Sequence, residues 1–217
     1  MPDFEALRMT MVDTQVRPND VTKFPVIEAM LAVPKEVFVP PSLQGAAYVG
    51  ENVEIAPGRV VLEARTLAKM LDALDVGPAD RVLDVGSGLG YSAAVIARMA
   101  ASVVALEEEG TLAAEARRVL GGLGAANITP RTGPLTGGAP DLGPFDVITI
   151  EGAAEVIPEA LVSQLAEGGR IGCLFQEGAV GVCRIGVMSE GRVSWRPVFN
   201  AGAPVLPGFE ARRGFVL

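Results

Sequence analysis

The chain has 217 residues, 49% of them apolar, and a formal net charge of −8. That length fits one α/β domain with an appendage, and the apolar fraction fills a sizeable core; the acidic balance argues against a nucleic-acid binder, which needs a basic footprint. Histidine is absent, which removes imidazole triads, histidine-bound zinc and the usual general base.

No apolar run is long enough to span a bilayer, and Met1-Pro-Asp-Phe-Glu-Ala-Leu-Arg8 lacks the basic start and apolar core of a signal peptide. Cys173 and Cys183 sit in late apolar runs without metal-ligand spacing. They read as buried, reduced thiols, which places the chain in the cytoplasm with no bound metal and no membrane partner.

Residues 1 to about 20 are mixed, with Arg17-Pro-Asn-Asp20 as turn chemistry. Phe24, Ile27, Met30 and Leu31 recur at helical spacing and predict a short amphipathic helix that Val33-Pro34 ends. Residues 39–63 carry several prolines and glycines and no clear period. Their apolar content predicts an ordered lid or wall, with Tyr48 as an anchor on the core. Leu67, Met70, Leu71 and Leu74 then mark a helix from Ala64. Residues 1–63 are expected to form a helical appendage and lid of the same domain, and 64–217 the α/β core.

Arg81-Val-Leu-Asp-Val-Gly-Ser-Gly-Leu-Gly-Tyr91 comes next. An apolar strand ends in an acid, a glycine turn follows, and a helix begins, expected over Ser92 to Met99. Gly86, Gly88 and Gly90 let the backbone approach a ligand closely. Such a turn also occurs in dinucleotide folds and is weak alone. Asp84 sharpens it: an acid at that strand end repels a pyrophosphate and suits an ammonium group. S-adenosylmethionine carries such an ammonium and no phosphate. Ser102-Val-Val-Ala-Leu-Glu107 is a second buried strand. Glu107 lies where α/β nucleoside binders place a carboxylate on ribose hydroxyls, ahead of Glu108 and Glu109. A helix through Leu112 and Leu120 stops at Gly121-Gly122. Asn127 to Arg131 is a weaker strand, kept to an edge by Pro130.

Phe145 to Glu151 is a fourth core strand. Ile157 to Leu165 reads as a helix closed by Glu167-Gly-Gly169, and Arg170 to Phe175 as a fifth strand. Val182–Met188 and Val193–Phe199 flank Ser189-Glu-Gly-Arg192, a hairpin signal, so the last strands are antiparallel. The expected fold is a Rossmann-like α/β methyltransferase: a seven-stranded, mostly parallel sheet ending in an antiparallel pair. A dinucleotide dehydrogenase repeats a second parallel half instead.

The chain resembles the protein-L-isoaspartate O-methyltransferase family over most of its length. The residues that carry this are Met11-Val-Asp-Thr-Gln15, Val33-Pro-Lys-Glu-Val-Phe-Val-Pro40, Ala47-Tyr48, Val82 to Ala94, Glu107, Asn127-Ile128, Gly133, Pro144-Phe-Asp146, Ala153-Ala154, Ile157-Pro158 and Gly168-Gly-Arg170. The resemblance implies methyl transfer from S-adenosylmethionine to the α-carboxylate of an isoaspartyl residue in a damaged protein or peptide. The cofactor residues are expected to be Asp84, Gly86, Ser87, Gly88, Gly90, Tyr91, Glu107, Glu108 and Gly133. The family's Thr-Ile-Ser-Gln-Pro acceptor loop falls on Val60-Val-Leu-Glu-Ala64, so Leu62 and Glu63 take the acceptor-loop positions. A hydroxyl is lost there and a charge gained that would repel an anionic acceptor. Arg59 and Arg65, which flank the loop, read as solvated surface charges; a competing reading has them favour an anionic acceptor. At Gly133-Pro134 the family's acid near the adenine is missing. Two other readings share this fold: a paralogue methylating another acceptor, and a non-catalytic cofactor-binding module.

Overall fold

The computed structural model describes residues 2–211. Helix α1 (Phe4–Met11) opens on Asp3, whose carboxylate accepts from Ala6 N. It runs on through a wider turn at Val12–Val16 that buries Val12 and Val16. The mixed reading of residues 1–20 misses this helix because Leu7 and Met9 face solvent and blur the period. A tight turn at Arg17–Asn19 ends on Asp20 in the left-handed region. Helix α2 (Phe24–Ala32) buries Val26, Ile27, Ala29 and Met30. Phe24, expected on the inner face, is 70% exposed.

Strands β1 (Val53–Ala56) and β2 (Arg59–Val61) form an antiparallel hairpin, a two-stranded sheet of its own. Helix α3 (Ala64–Leu74) buries Leu67, Met70, Leu71 and Leu74, as its spacing predicts.

The core alternates strand and helix: β3 (Arg81–Val85), α4 (Tyr91–Ile96), β4 (Ser102–Glu107), α5 (Gly110–Gly122) and β5 (Ile128–Thr132). Then come β6 (Phe145–Ala154), α6 (Glu159–Val162), β7 (Leu165–Glu177), β8 (Val180–Ser189) and β9 (Arg192–Asn200). The sheet order is β5-β4-β3-β6-β7-β8-β9. Pairs from β5 to β7 are parallel, while β7–β8 and β8–β9 are antiparallel. This is the expected architecture, with β5 and its Pro130 at an edge. Helix α4 ends before the expected Met99, and α6 is shorter than the expected helix, because β7 begins at Leu165 rather than Arg170. Strand β6 runs three residues past Glu151: Ala153 N donates to Pro204 O and Leu206 N to Ala153 O, so the segment after β9 extends the pairing.

Alternation along the strands sorts the core into two layers. Val82, Val103, Ala105 and Val147 face α2, α3, α4 and α5, whereas Leu83, Val85, Val104, Leu106, Ile148 and Ile150 face Leu135, Leu161, Leu206 and Phe209. Asp84, Glu107, Thr149 and Glu151 share the parity of the first layer. Asp84 and Glu107 lie at the carboxyl ends of β3 and β4, and Thr149 is the β6 neighbour of Asp84. The order of the strands reverses between β3 and β6, and ligands of open α/β sheets bind in the crevice at such a switch point.

Candidate active site

The crevice is built on the turn between β3 and α4. Gly86, Gly88 and Gly90 have φ of 78°, 55° and 97°, a region that L side chains rarely adopt. Gly86 N and Ser87 N donate to Leu106 O, which ties the turn to β4. A Cβ on Gly90 would lie 3.0 Å from Leu120 of α5, so packing as well as φ selects glycine there.

Asp84 is fully buried and pairs in register with Thr149 across the switch point. Its carboxylate accepts from Ser92 Oγ at 2.7 Å and Thr149 Oγ1 at 2.9 Å. Burial pushes its pKa up to about 6, against the two hydroxyl hydrogen bonds that favour the ionised form. At neutral pH it is a buried anion.

Glu107 is equally buried, and Arg59 of β2 lies against it with Nη1–Oε1 and Nη2–Oε2 each at 2.7 Å. Arg59 is 5% exposed and also donates to Gly86 O at 2.9 Å. This corrects the expectation of a solvated surface arginine. Its ion-pair partner lies 48 residues along the chain, and only the hairpin brings the two together. Glu107 further accepts from Gly88 N, Glu108 N and Glu109 N.

The neighbouring expected residues hold the frame. Glu108 is half-buried, and its carboxylate accepts from Leu135 N at 3.3 Å. Gly133 N donates to Glu107 O at 3.1 Å. Glu109 caps α5 by accepting from Thr111 N and Leu112 N.

On the other side lies the loop between β2 and α3. Leu62 is buried, and its carbonyl accepts from Lys35 Nζ at 3.3 Å. Burial lowers the Lys35 pKa to about 8, offset in part by the charge of Glu63. Glu63 stands at the N-terminus of α3, where it accepts from Thr66 Oγ1 at 2.6 Å and Arg65 Nη1 at 3.3 Å. Arg65 and Thr66 thus engage the Glu63 carboxylate at the start of the helix. Arg65 itself is no free surface charge, since it also donates to Asn19 Oδ1. Tyr48 is buried, and its hydroxyl donates to Glu36 and accepts from Lys35 N, bonds that stay within the appendage.

Between loop and turn, Val60, Val61, Leu62, Leu67, Gly86, Ser87, Tyr91, Ser92 and Glu151 enclose a cavity of about 10 Å³, room for one water at most. Ser87 Oγ, Tyr91 OH and Glu151 Oε1 are buried there without a hydrogen-bond partner. Unpartnered buried polar atoms mark a place where a ligand's polar groups are wanted. Burial raises the pKa of Glu151 well above its ordinary value, aided by the charge of Asp84. The sequence reading marked Glu151 as a strand end without a role, although its parity with Thr149 pointed into the crevice. Lys35 and Arg59 were also missed as site residues. Among the described residues no cluster of acids and cysteines suits a metal ion.

Comparison with known proteins agrees with this geometry. The family model described as Protein-L-isoaspartate(D-aspartate) O-methyltransferase matches residues 8–179. The protein-L-isoaspartate O-methyltransferase of Methylorubrum extorquens (strain PA1) is 41% identical over 171 residues, covering 79% of this chain and 75% of that one. Its counterpart in Koribacter versatilis (strain Ellin345) is 41% identical over 164 residues, covering 76% and 74%. A Plasmodium falciparum β-aspartate methyltransferase, solved in complex with S-adenosyl-L-homocysteine, is alike in fold, with a TM-score of 0.75 and 21% identity. The match covers 95% of this chain and 99% of that one. The family match runs through the appendage, the glycine turn and the sheet as far as β7, and the chain belongs to the protein-L-isoaspartate(D-aspartate) O-methyltransferase family.

Proposed function

We propose that this chain is an S-adenosylmethionine-dependent methyltransferase that esterifies the α-carboxylate of isoaspartyl residues in damaged proteins and peptides. The observation that carries this reading is Asp84: a buried carboxylate at the switch point, oriented by Ser92 and Thr149 beside three positive-φ glycines. It suits the cofactor's ammonium. Gly86, Gly88 and Gly90 would allow close backbone approach, Glu107 would take the ribose, and Glu108 and Gly133 would close the pocket beyond it. The unpartnered Ser87 and Tyr91 hydroxyls fit a polar ligand in the same place.

S-adenosylmethionine supplies an electrophilic methyl group. The acceptor carboxylate is already ionised at neutral pH, so a chain without histidine lacks nothing the reaction needs. What the protein contributes is proximity and orientation. In the acceptor pocket Leu62 brings no hydroxyl, but the buried, unpartnered carboxyl of Glu151 lines the same cavity. The acceptor is a protein or peptide rather than nucleic acid or membrane, a reading supported by the acidic balance of the chain. A cytoplasmic setting is supported by the free, buried Cys173 and Cys183. A single domain with residues 1–63 as its lid is supported by the core shared between Met11, Met30, Leu62 and Tyr91.

The test is methyl transfer from labelled cofactor to an isoaspartyl peptide and to its aspartyl twin. Label is expected on the first alone, as a base-labile ester. Label on neither peptide by a chain that binds the cofactor would point to a different acceptor.

A further inference from the structure

We infer that Arg59 is an internal stand-in for the cofactor's ribose, and that hairpin β1–β2 must withdraw its guanidinium from Glu107 before the cofactor can seat. The inference rests on the reading of Glu107 as the ribose acceptor.

Glu107 already meets five N–H donors. Its Oε1 accepts from Arg59 Nη1 at 2.7 Å, Glu108 N at 3.0 Å and Glu109 N at 3.1 Å; its Oε2 accepts from Arg59 Nη2 at 2.7 Å and Gly88 N at 2.8 Å. A carboxylate offers about four lone-pair sites, so the group is saturated. The three backbone donors belong to the turns that shape the pocket. Arg59 alone arrives from outside the α/β core, and its withdrawal vacates the one position it holds on each carboxylate oxygen. The geometry also matches: a guanidinium presents two parallel N–H donors to the two carboxylate oxygens, as two vicinal hydroxyls would.

The hairpin also covers the glycines. A Cβ on Gly86 would lie 3.2 Å from Arg59 Nη2 and 3.1 Å from Leu206 Cδ1, and one on Gly88 would lie 2.7 Å from Ile55 Cδ1. Arg59 and Ile55 both belong to the hairpin, so one element covers the ligand face of the turn and neutralises its acid.

The hairpin pairs with no strand of the main sheet, and a two-stranded ribbon is marginal alone. Its turn, Pro57-Gly58, is exposed. Arg59 Nε has no partner despite its burial, a cost that withdrawal relieves. While Arg59 stays in, it compensates Glu107, which would otherwise be a buried anion held by backbone amides alone. Stability of the cofactor-free chain and affinity for the cofactor are thus set against each other at one residue.

Calorimetric titration of S-adenosylhomocysteine into the full chain, Arg59→Ala and Arg59→Gln tests this; the glutamine variant keeps an amide donor should the alanine variant not fold. Both variants are expected to bind about tenfold or more tightly than the parent, with a lower melting temperature before ligand and a larger rise on adding it. The gain should appear with adenosine and vanish with 2′,3′-dideoxyadenosine. Equal or weaker binding by the folded variants, with the parent binding normally, would overturn the inference and leave the cofactor reading standing. A gain of the same size with the dideoxy compound would also overturn it, because the benefit would not lie at the ribose. Absence of binding in all three folded proteins would sink both.

Discussion

Lys35 carries its ammonium into a fully buried place, with Leu62 O as hydrogen-bond acceptor and the Tyr91 ring 5.6 Å away. Its pKa falls from 10.5 to about 8 through burial. As pH rises, the folded chain sheds this proton before the unfolded chain does. Between those two values the unfolded state therefore binds more protons, and stability rises with pH. Measured as parent minus Lys35→Met in urea melts, the unfolding free energy should climb by about 3 kcal/mol across that window; a flat difference would show that the ammonium is not desolvated. The acceptor loop makes a second residue-scale prediction. Val60→Thr, Leu62→Ser and Glu63→Gln together should raise isoaspartyl turnover by up to on the order of 10², the scale of one preorganised donor. Glu151→Leu should lower turnover with little change in cofactor affinity, and Glu151→Gln, which supplies a donor, should retain more of it. If the triple variant gains nothing, the apolar loop is tolerated and Glu151 or a backbone amide already fills that place. Asp84 and Glu107 were legible as candidates because each ends an apolar strand next to a turn. Arg59 was not, because a charge amid prolines and glycines reads as solvated until a distant carboxylate is known to face it.

At the scale of elements, the long core pieces follow from periodicity. Helix α3 shows its buried stripe in the spacing of Leu67, Met70, Leu71 and Leu74; Leu71→Ala should cost about 2–5 kcal/mol of stability in denaturant melts. Its C-terminus depends on a residue from another layer. Arg170 of β7 donates to Leu74 O and Asp75 O, and pairs with Asp80 at 2.7 Å. It thus satisfies carbonyls that a helix end leaves open. Arg170→Ala should cost roughly 1–3 kcal/mol, and Arg170→Lys should recover only part, because one ammonium cannot reach all three partners at once. An unchanged melt would mean that water caps the helix equally well. The hairpin was hidden for a physical reason: β1 has four residues and β2 three, too few for alternation to show. The first helix was hidden because apolar residues on its exposed face blur the stripe, and α6 shrank because β7 claimed the residues after it.

At the scale of the whole molecule, the site exists only where the parts meet. The order of the strands reverses between the parallel neighbours β3 and β6, and their register places Asp84 beside Thr149. Strand β4 brings Glu107, the hairpin brings Arg59 and Ile55, and the segment after β9 lays Leu206 over Gly86. The parallel sheet with its antiparallel end was legible from strand spacing and the hairpin signal at Glu190-Gly191. The closure of the crevice was not, because it depends on side chains from three remote segments. The central claim is that Asp84, ionised, holds the ammonium of the cofactor. Its pKa of about 6 lies above that of an ordinary aspartate through burial, so it protonates as pH falls through that value and the attraction is lost. The most direct measurement is titration of S-adenosylhomocysteine into the parent and Asp84→Asn, near neutral pH and again well below pH 6. The account predicts tight binding by the parent at neutral pH, weakening towards tenfold per pH unit below about 6, and weak, pH-independent binding by the asparagine variant. Equal affinity of the two proteins at neutral pH would contradict it.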